Sequence, residues 1–143
     1  MSGVQHWPVV AIGAIIWKDD SVLLIRRGRP PRQGQWSIPG GKQEAGETVH
    51  QAAHREIREE TGLEIELLGV TAVIDLIDRE QERILYHYTV IDFLAEWRSG
   101  TPVAADDAEA VGWFTLDELA GLDLPEIQRK VIADAARQRD AAA

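Results

Sequence analysis

The spacing of apolar and polar residues changes character several times along the chain. Val9 to Trp17 is an apolar, β-branched run, Lys18-Asp19-Asp20 interrupts it, and Ser21 to Arg26 resumes it. Two such runs around a turn predict a hairpin at the start of the core. Gly28 to Gln35 holds Pro30, Pro31 and Gly34 and is predicted as loop, because adjacent prolines fix φ and remove donors. From Val49 the period becomes helical, with Val49, Ala52, Ala53 and Ile57 on one side. Thr48 with Gln51 has capping-box spacing and Gly62 suits a left-handed stop, which predicts a helix over Val49 to Thr61. Leu63 to Ile77 reads as a long hydrophobic strand and the charged group Asp78 to Arg83 as a hairpin tip. Ile84 to Trp97 is then the returning strand, with Leu85, His87, Thr89, Ile91, Phe93 and Ala95 on one face. Thr115 with Glu118 caps a short helical turn. Asp123, Pro125 and Glu126 open a last helix whose inward stripe is Ile127, Val131 and Ala135. Strands interleaved with two substantial helices predict an α/β fold, a mixed sheet covered on both faces.

The length, 143 residues, suits one domain over 1–143, and no internal repeat or long linker divides it. Residues 140–143 are expected to be a disordered tail. With 45% hydrophobic and 27% charged residues the balance is that of a globular protein. Cysteine is absent, which removes disulfides, thiolate zinc sites and cysteine nucleophiles together. A metal ion would have to be held by carboxylate, carbonyl or imidazole, which favours hard cations. No apolar stretch approaches the roughly twenty residues of a membrane span. Met1 to His6 lacks a basic n-region and an apolar h-region, so a soluble, cytoplasmic protein with no membrane partner is expected. The net charge of −9 argues against a nucleic-acid polymer as partner. The sign is uneven, however: Ser21 to Gln43 holds no acid but carries Arg26, Arg27, Arg29, Arg32 and Lys42.

The helix carries the candidate chemistry. Glu56 and Glu60 fall within the apolar arc and Glu59 on its margin, and the three are neighbours by the i, i+3, i+4 rule. A solvated acidic face is the ordinary reading of such a run. Here Arg55, Arg58, His50, His54 and Gln51 already take the outward positions, and no Lys or Arg of the helix is expected to point inward. Two carboxylates about 5 Å apart at an effective dielectric near 20 repel by roughly 3 kcal/mol. A divalent cation is the simplest inward partner, and all-oxygen ligands favour Mg²⁺ or Mn²⁺. Magnesium is typically shared between carboxylates and substrate phosphates. With the glycine turn Pro39-Gly40-Gly41-Lys42 and the basic loop upstream, the cluster suggests metal-assisted hydrolysis of a phosphoanhydride.

A resemblance sharpens this reading. Gly41, then Glu47 after five residues, then after seven more Arg55-Glu56-Ile57-Arg58-Glu59-Glu60-Thr61-Gly62-Leu63, resembles the Nudix box of the Nudix hydrolases at every defined position. Trp36-Ser37-Ile38-Pro39-Gly40-Gly41 is similar to the usual lead-in to that box. The resemblance implies a Nudix-type α/β/α sandwich with a mixed β-sheet. It also implies Mg²⁺-dependent cleavage of a nucleoside diphosphate linked to another group. By the same resemblance Glu56, Glu59 and Glu60 would be metal ligands, with the Gly40 carbonyl as a further one. Glu47 and Arg55 would brace the site, Arg55 pairing with Glu47 and orienting Glu56. The base that takes the proton from water would be Glu56 or an acid of the loop Asp106, Asp107, Glu109, and Glu109 is also a candidate metal ligand.

Other signals are weaker. Arg26 and Arg27 end a strand, so one should point inward toward substrate phosphates. Trp36 either stacks on a base or ribose or belongs to the core. Tyr86, His87 and Tyr88 read as packing, and His50 and His54 as solvated. The box is followed by no proline before Thr101, unlike ADP-ribose and sugar-nucleotide members, and no tyrosine stands slightly further on as in diadenosine-polyphosphate members, the nearest being Tyr86. Nucleoside triphosphates and ADP-ribose remain as expected small-molecule substrates. Two readings of function stand: a pyrophosphatase, and a non-catalytic nucleotide-binding sensor module. The hydrophobic strand Leu63 to Ile77 is a candidate homodimer surface.

Overall fold

The computed structural model describes residues 7–30 and 32–142. The leader reading of Met1 to His6, Pro31 of the predicted loop and Ala143 of the predicted tail lie outside the described residues. Strands β1 (Val9–Lys18) and β2 (Ser21–Arg27) form the expected hairpin, turning at Asp19-Asp20. Two short strands follow, β3 (Trp36–Ser37) and β4 (Gly40–Lys42), then helix α1 (Val49–Thr61). The long pair β5 (Glu64–Glu80) and β6 (Arg83–Ser99), strand β7 (Ala108–Thr115) and helices α2 (Leu116–Leu119) and α3 (Glu126–Ala142) complete the chain. Among the described residues the strands make one sheet in the order β3-β2-β1-β6-β5, with β4 added to β1 and β7 to β2. The β1–β6 pair is parallel and the other pairs are antiparallel, so the sheet is mixed as the pattern predicts.

Alternation along the central strands sorts side chains to two faces. Ile15, Trp17, Val22, Leu24 and Leu94 pack on one side against Leu119 of α2 and against Val131, Ile132 and Ala135 of α3. Ala14, Ile16, Leu23 and Ala95 pack on the other against Ile57 of α1, with Ile12 and Phe93 meeting Ala52 and Ala53 beside them. The unbroken apolar runs of β1 and β2 follow from this, since a strand covered on both faces has no solvent side to leave polar. The result is the α/β/α sandwich. Helix α1 has the predicted ends: Thr48 and Gln51 exchange both bonds of the capping box, and Gly62 closes the helix with φ 77°.

Three expectations are corrected. The hairpin tip is only Gln81-Glu82, because Asp78 to Glu80 and Arg83 to Tyr86 remain paired, with Glu80 opposite Arg83. Backbone pairing needs no apolar side chain, and an opposite-charge cross-strand pair favours it. The inward stripe of α3 is Val131, Ile132 and Ala135, while Ile127 is 41% exposed. The stripe starts one turn later because the first turn of α3 lies over the sheet's margin. Residues 140–142 are the last turn of α3 rather than a loose tail. Arg139 anchors that end, bonding Glu96 at 2.5 Å and the Asp19 carbonyl at 2.7 Å.

Candidate active site

The site forms where β4 passes between β1 and α1. Gly40 and Gly41 pair with Gly13 and Ile12 of β1, which sets their backbone beneath the C-terminal half of α1. Glu60 reaches this turn and accepts the Gly40 N–H at 3.0 Å. Glu56 stands over Gly41 so closely that a Cβ there would lie 2.3 Å from Oε2 of Glu56, which is why the position takes glycine. Two of the three inward acids therefore touch the glycine turn. Glu59 does not; its side chain is about half exposed and is held through Arg55. Among the described residues no three His, Asp or Glu side chains already stand as a ligand cluster.

Arg55 ties the acids together and corrects two expectations. It does not lie on the outward face, and the helix does direct a cation toward the acids. Its guanidinium folds back to donate to both carboxylate oxygens of Glu47, at 2.9 and 2.6 Å. It also donates to Glu56 at 2.8 Å, to Glu59 at 3.2 Å and to the Lys42 carbonyl at 3.0 Å. Arginine's planar fork can serve several oxygens at once, whereas periodicity records only the position of its Cα. Arg55 and the Glu44 N–H hold the Glu47 carboxyl down to a pKa of about 2.

Glu60 is perturbed in the opposite sense. Burial raises its pKa to about 7, and the charges of Glu56 and Asp106 add to the rise, while the Gly40 N–H and Arg27 oppose it. A carboxylate so placed is an electron-rich oxygen donor short of positive charge, and hard divalent cations suit such donors. The residues present therefore fit Mg²⁺ or Mn²⁺.

The pleat separates Arg26 from Arg27. Arg26 shares a face with Leu24, lies 5.6 Å from the centroid of Trp36 and bonds Glu109 at 2.8 Å. Arg27 is on the other face, where its charge acts on Glu60. Glu109 is thus spent on Arg26 and not brought to the acid cluster. Asp106 is the loop acid whose charge reaches Glu60, because β7 bulges against β2 at Arg26/Arg27 and turns Glu109 aside. Trp36 packs edge-on to Phe114 with centroids 4.9 Å apart, against the α3-side core. Arg29 pairs with Asp107 at 3.2 Å in solvent. Asp92 was not singled out by the sequence reading. It is 6% exposed, and its signal was an acid inside the apolar run Val90-Ile91-Asp92-Phe93-Leu94.

Comparisons with known proteins give matches over most of the chain. The family model for the NUDIX domain matches residues 7–135. An ADP-ribose pyrophosphatase from Methanocaldococcus jannaschii is 37% identical over 133 residues, 93% of this chain and 76% of that protein. The nucleoside triphosphatase NudI of an Enterobacter species is 35% identical over 127 residues, 80% of this chain and 87% of that protein. The crystal structure of a MutT NUDIX hydrolase from Burkholderia pseudomallei superposes with a TM-score of 0.79 at 37% identity, covering 90% of this chain and 98% of that one.

Proposed function

The chain belongs to the Nudix hydrolase family, and from that premise we propose that it is a Mg²⁺- or Mn²⁺-dependent pyrophosphohydrolase. Its substrate is a nucleoside diphosphate linked to another group, either ADP-ribose-like or a nucleoside triphosphate, cleaved at a phosphoanhydride bond. The relatives above, named for ADP-ribose and for nucleoside triphosphates, support this range. The observation that carries the reading is Glu60, a half-buried carboxylate bonded to the Gly40 N–H with Glu56 beside it over Gly41.

Glu56, Glu59 and Glu60, with the Gly40 carbonyl, would hold the cation. When bound, it would neutralise charge developing on phosphoryl oxygens and lower the pKa of an attacking water. Arg55, clamped by Glu47, keeps Glu56 and Glu59 turned to the site; such supporting bonds hold ligands in register. Arg27 is the arginine on the acid side and meets substrate phosphate. The proton from water goes to Glu56 or to Asp106, and Glu56→Gln and Asp106→Asn tell them apart. Glu60→Gln tests the whole reading. Turnover of ADP-ribose and nucleoside triphosphates with Mg²⁺ should fall by about a hundredfold or more, since several kcal/mol of metal stabilisation is lost at 1.36 kcal/mol per tenfold. Near-normal turnover in the folded variant sinks it.

Two further parts of the proposal concern the whole molecule. Among the described residues no helix is long and apolar enough to cross a membrane, and the protein works in the reducing cytoplasm. It forms a homodimer through the edge strand β5, where Leu68, Val70, Val73, Leu76 and Ile77 are exposed. Analytical ultracentrifugation of Val73→Asp checks this: the variant should sediment as a monomer where the wild type does not.

A further inference from the structure

A cleft opens at the other end of β1 from the glycine turn, between the β1–β2 hairpin turn, the start of α2 and the end of α3. Its volume is about 400 Å³, and its wall includes Trp17, Asp20, Leu116, Asp117, Arg139 and Asp140. That size falls within the roughly 300–1,000 Å³ of sites that hold small organic ligands.

One side chain of the wall calls for an occupant. Trp17 is 3% exposed, and its indole N–H has no hydrogen-bond partner among the described residues. Buried donors are nearly always paired, and an unpaired one costs stability. The side chains packed with Trp17 in the core, among them Val22, Leu24, Leu119 and Ala135, carry no acceptor. An acceptor for this N–H therefore has to come from the cleft side.

The charges of the cleft narrow what can bring it. Asp20, Asp117 and Asp140 are exposed, and their side chains make no hydrogen bond or ion pair among the described residues. Arg139, the cation of the wall, is taken up by both oxygens of Glu96 and by the Asp19 carbonyl. A phosphate or carboxylate ligand would meet three negative charges here. A single metal ion is equally unsuited, since among the described residues no three acids converge on one point. A linear polyamine would satisfy the acids but brings no oxygen for the indole. A compact molecule with ammonium groups on one side and a hydroxyl or carbonyl oxygen on the other satisfies both. Leu116, 48% exposed, and the half-buried Ala136 give its carbon skeleton an apolar wall.

We infer that this cleft binds an amino sugar or aminocyclitol, whose oxygen accepts the Trp17 N–H and whose ammonium groups meet Asp20, Asp117 and Asp140. The site is separate from the acid cluster and does not depend on the nucleotide-hydrolase reading.

The test is calorimetric titration of the full chain at about pH 6.5 and low salt, where exposed charges are least screened. 2-Deoxystreptamine carries ammonium groups and hydroxyls, spermidine has ammonium groups without oxygen, and myo-inositol has hydroxyls without charge. 2-Deoxystreptamine should saturate one site and bind about tenfold or more tightly than either of the others. Asp117→Asn should weaken it about 2- to 5-fold with nucleotide turnover unchanged. Trp17→Phe removes the donor but keeps an aromatic wall, and should weaken it about 2- to 10-fold, the range of one hydrogen bond. Glu60→Gln should leave it unchanged, because that carboxylate belongs to the other site. Failure of 2-deoxystreptamine to saturate, equal binding of spermidine or inositol, or unchanged affinity in Asp117→Asn overturns the inference. Weakening by Glu60→Gln as large as that by Asp117→Asn also overturns it, since the amine would then sit at the acid cluster. Should Trp17→Phe fail to fold, Asp117→Asn on the surface still decides the matter.

Discussion

Replacing Glu60 by glutamine should stabilise the metal-free protein at neutral and basic pH while it removes activity. The carboxyl of Glu60 has its pKa moved from 4.5 to about 7, chiefly by burial. Each tenfold in proton affinity corresponds to about 1.4 kcal/mol, so keeping this group charged inside the fold costs about 3 kcal/mol. The sign follows from linkage. Below pH 4.5 the carboxyl is protonated in both the folded and unfolded chain and contributes no difference. Between pH 4.5 and 7 the unfolded chain releases its proton while the folded one keeps it. Above pH 7 the folded state carries the buried charge and the full cost is present. Glutamine resembles the protonated acid, keeps an oxygen for the Gly40 N–H and does not titrate. Urea unfolding of both proteins in EDTA should therefore give equal stabilities near pH 4.5 and a gap of about 3 kcal/mol in favour of Glu60→Gln by pH 8. Taking the difference cancels the titrating groups that do not couple to Glu60, which leaves only neighbours such as Glu56 and Asp106 in it. Added Mg²⁺ at pH 8 should stabilise the wild type far more than the variant, because a ligand that binds only the folded state adds to its stability. Stability curves that run parallel from pH 4.5 to 8 would refute the burial argument, and with it the physical case for an inward cation.

Three further outcomes follow from single contacts. Arg55→Lys keeps a charge but loses the fork that serves Glu47, Glu56 and Glu59 together, so kcat should fall about 10–100-fold with the circular dichroism spectrum unchanged. Arg27→Ala should lower kcat/KM more than Arg26→Ala in steady-state assays, since Arg27 faces Glu60 while Arg26 is bound to Glu109 on the opposite face. Thr48→Ala removes the capping-box acceptor of α1 and should cost about 1 kcal/mol, read as a lower urea midpoint at constant slope.

What could be read from sequence alone was local. The ends of α1, its buried side and the acids beside that side are set by residues within one or two turns of each other, through capping geometry and the 3.6-residue period. The mixed, helix-covered sheet was likewise legible, because block lengths and turn residues limit the arrangements that bury two apolar helix stripes. Tertiary structure decided whatever depends on register between distant segments. Arg26 and Arg27 part company because the pleat alternates, and a bulge against β7 sends Glu109 to one and leaves Asp106 near the other. Arg55 turns back on its own helix because the loop before α1 returns Glu47 to meet it. Asp92 is buried because β1 and α3, far away in sequence, close over it. A helix period is a property of consecutive residues, whereas the partner of a charged side chain is chosen among everything the fold brings within hydrogen-bond reach, and that choice exists only once the sheet has formed.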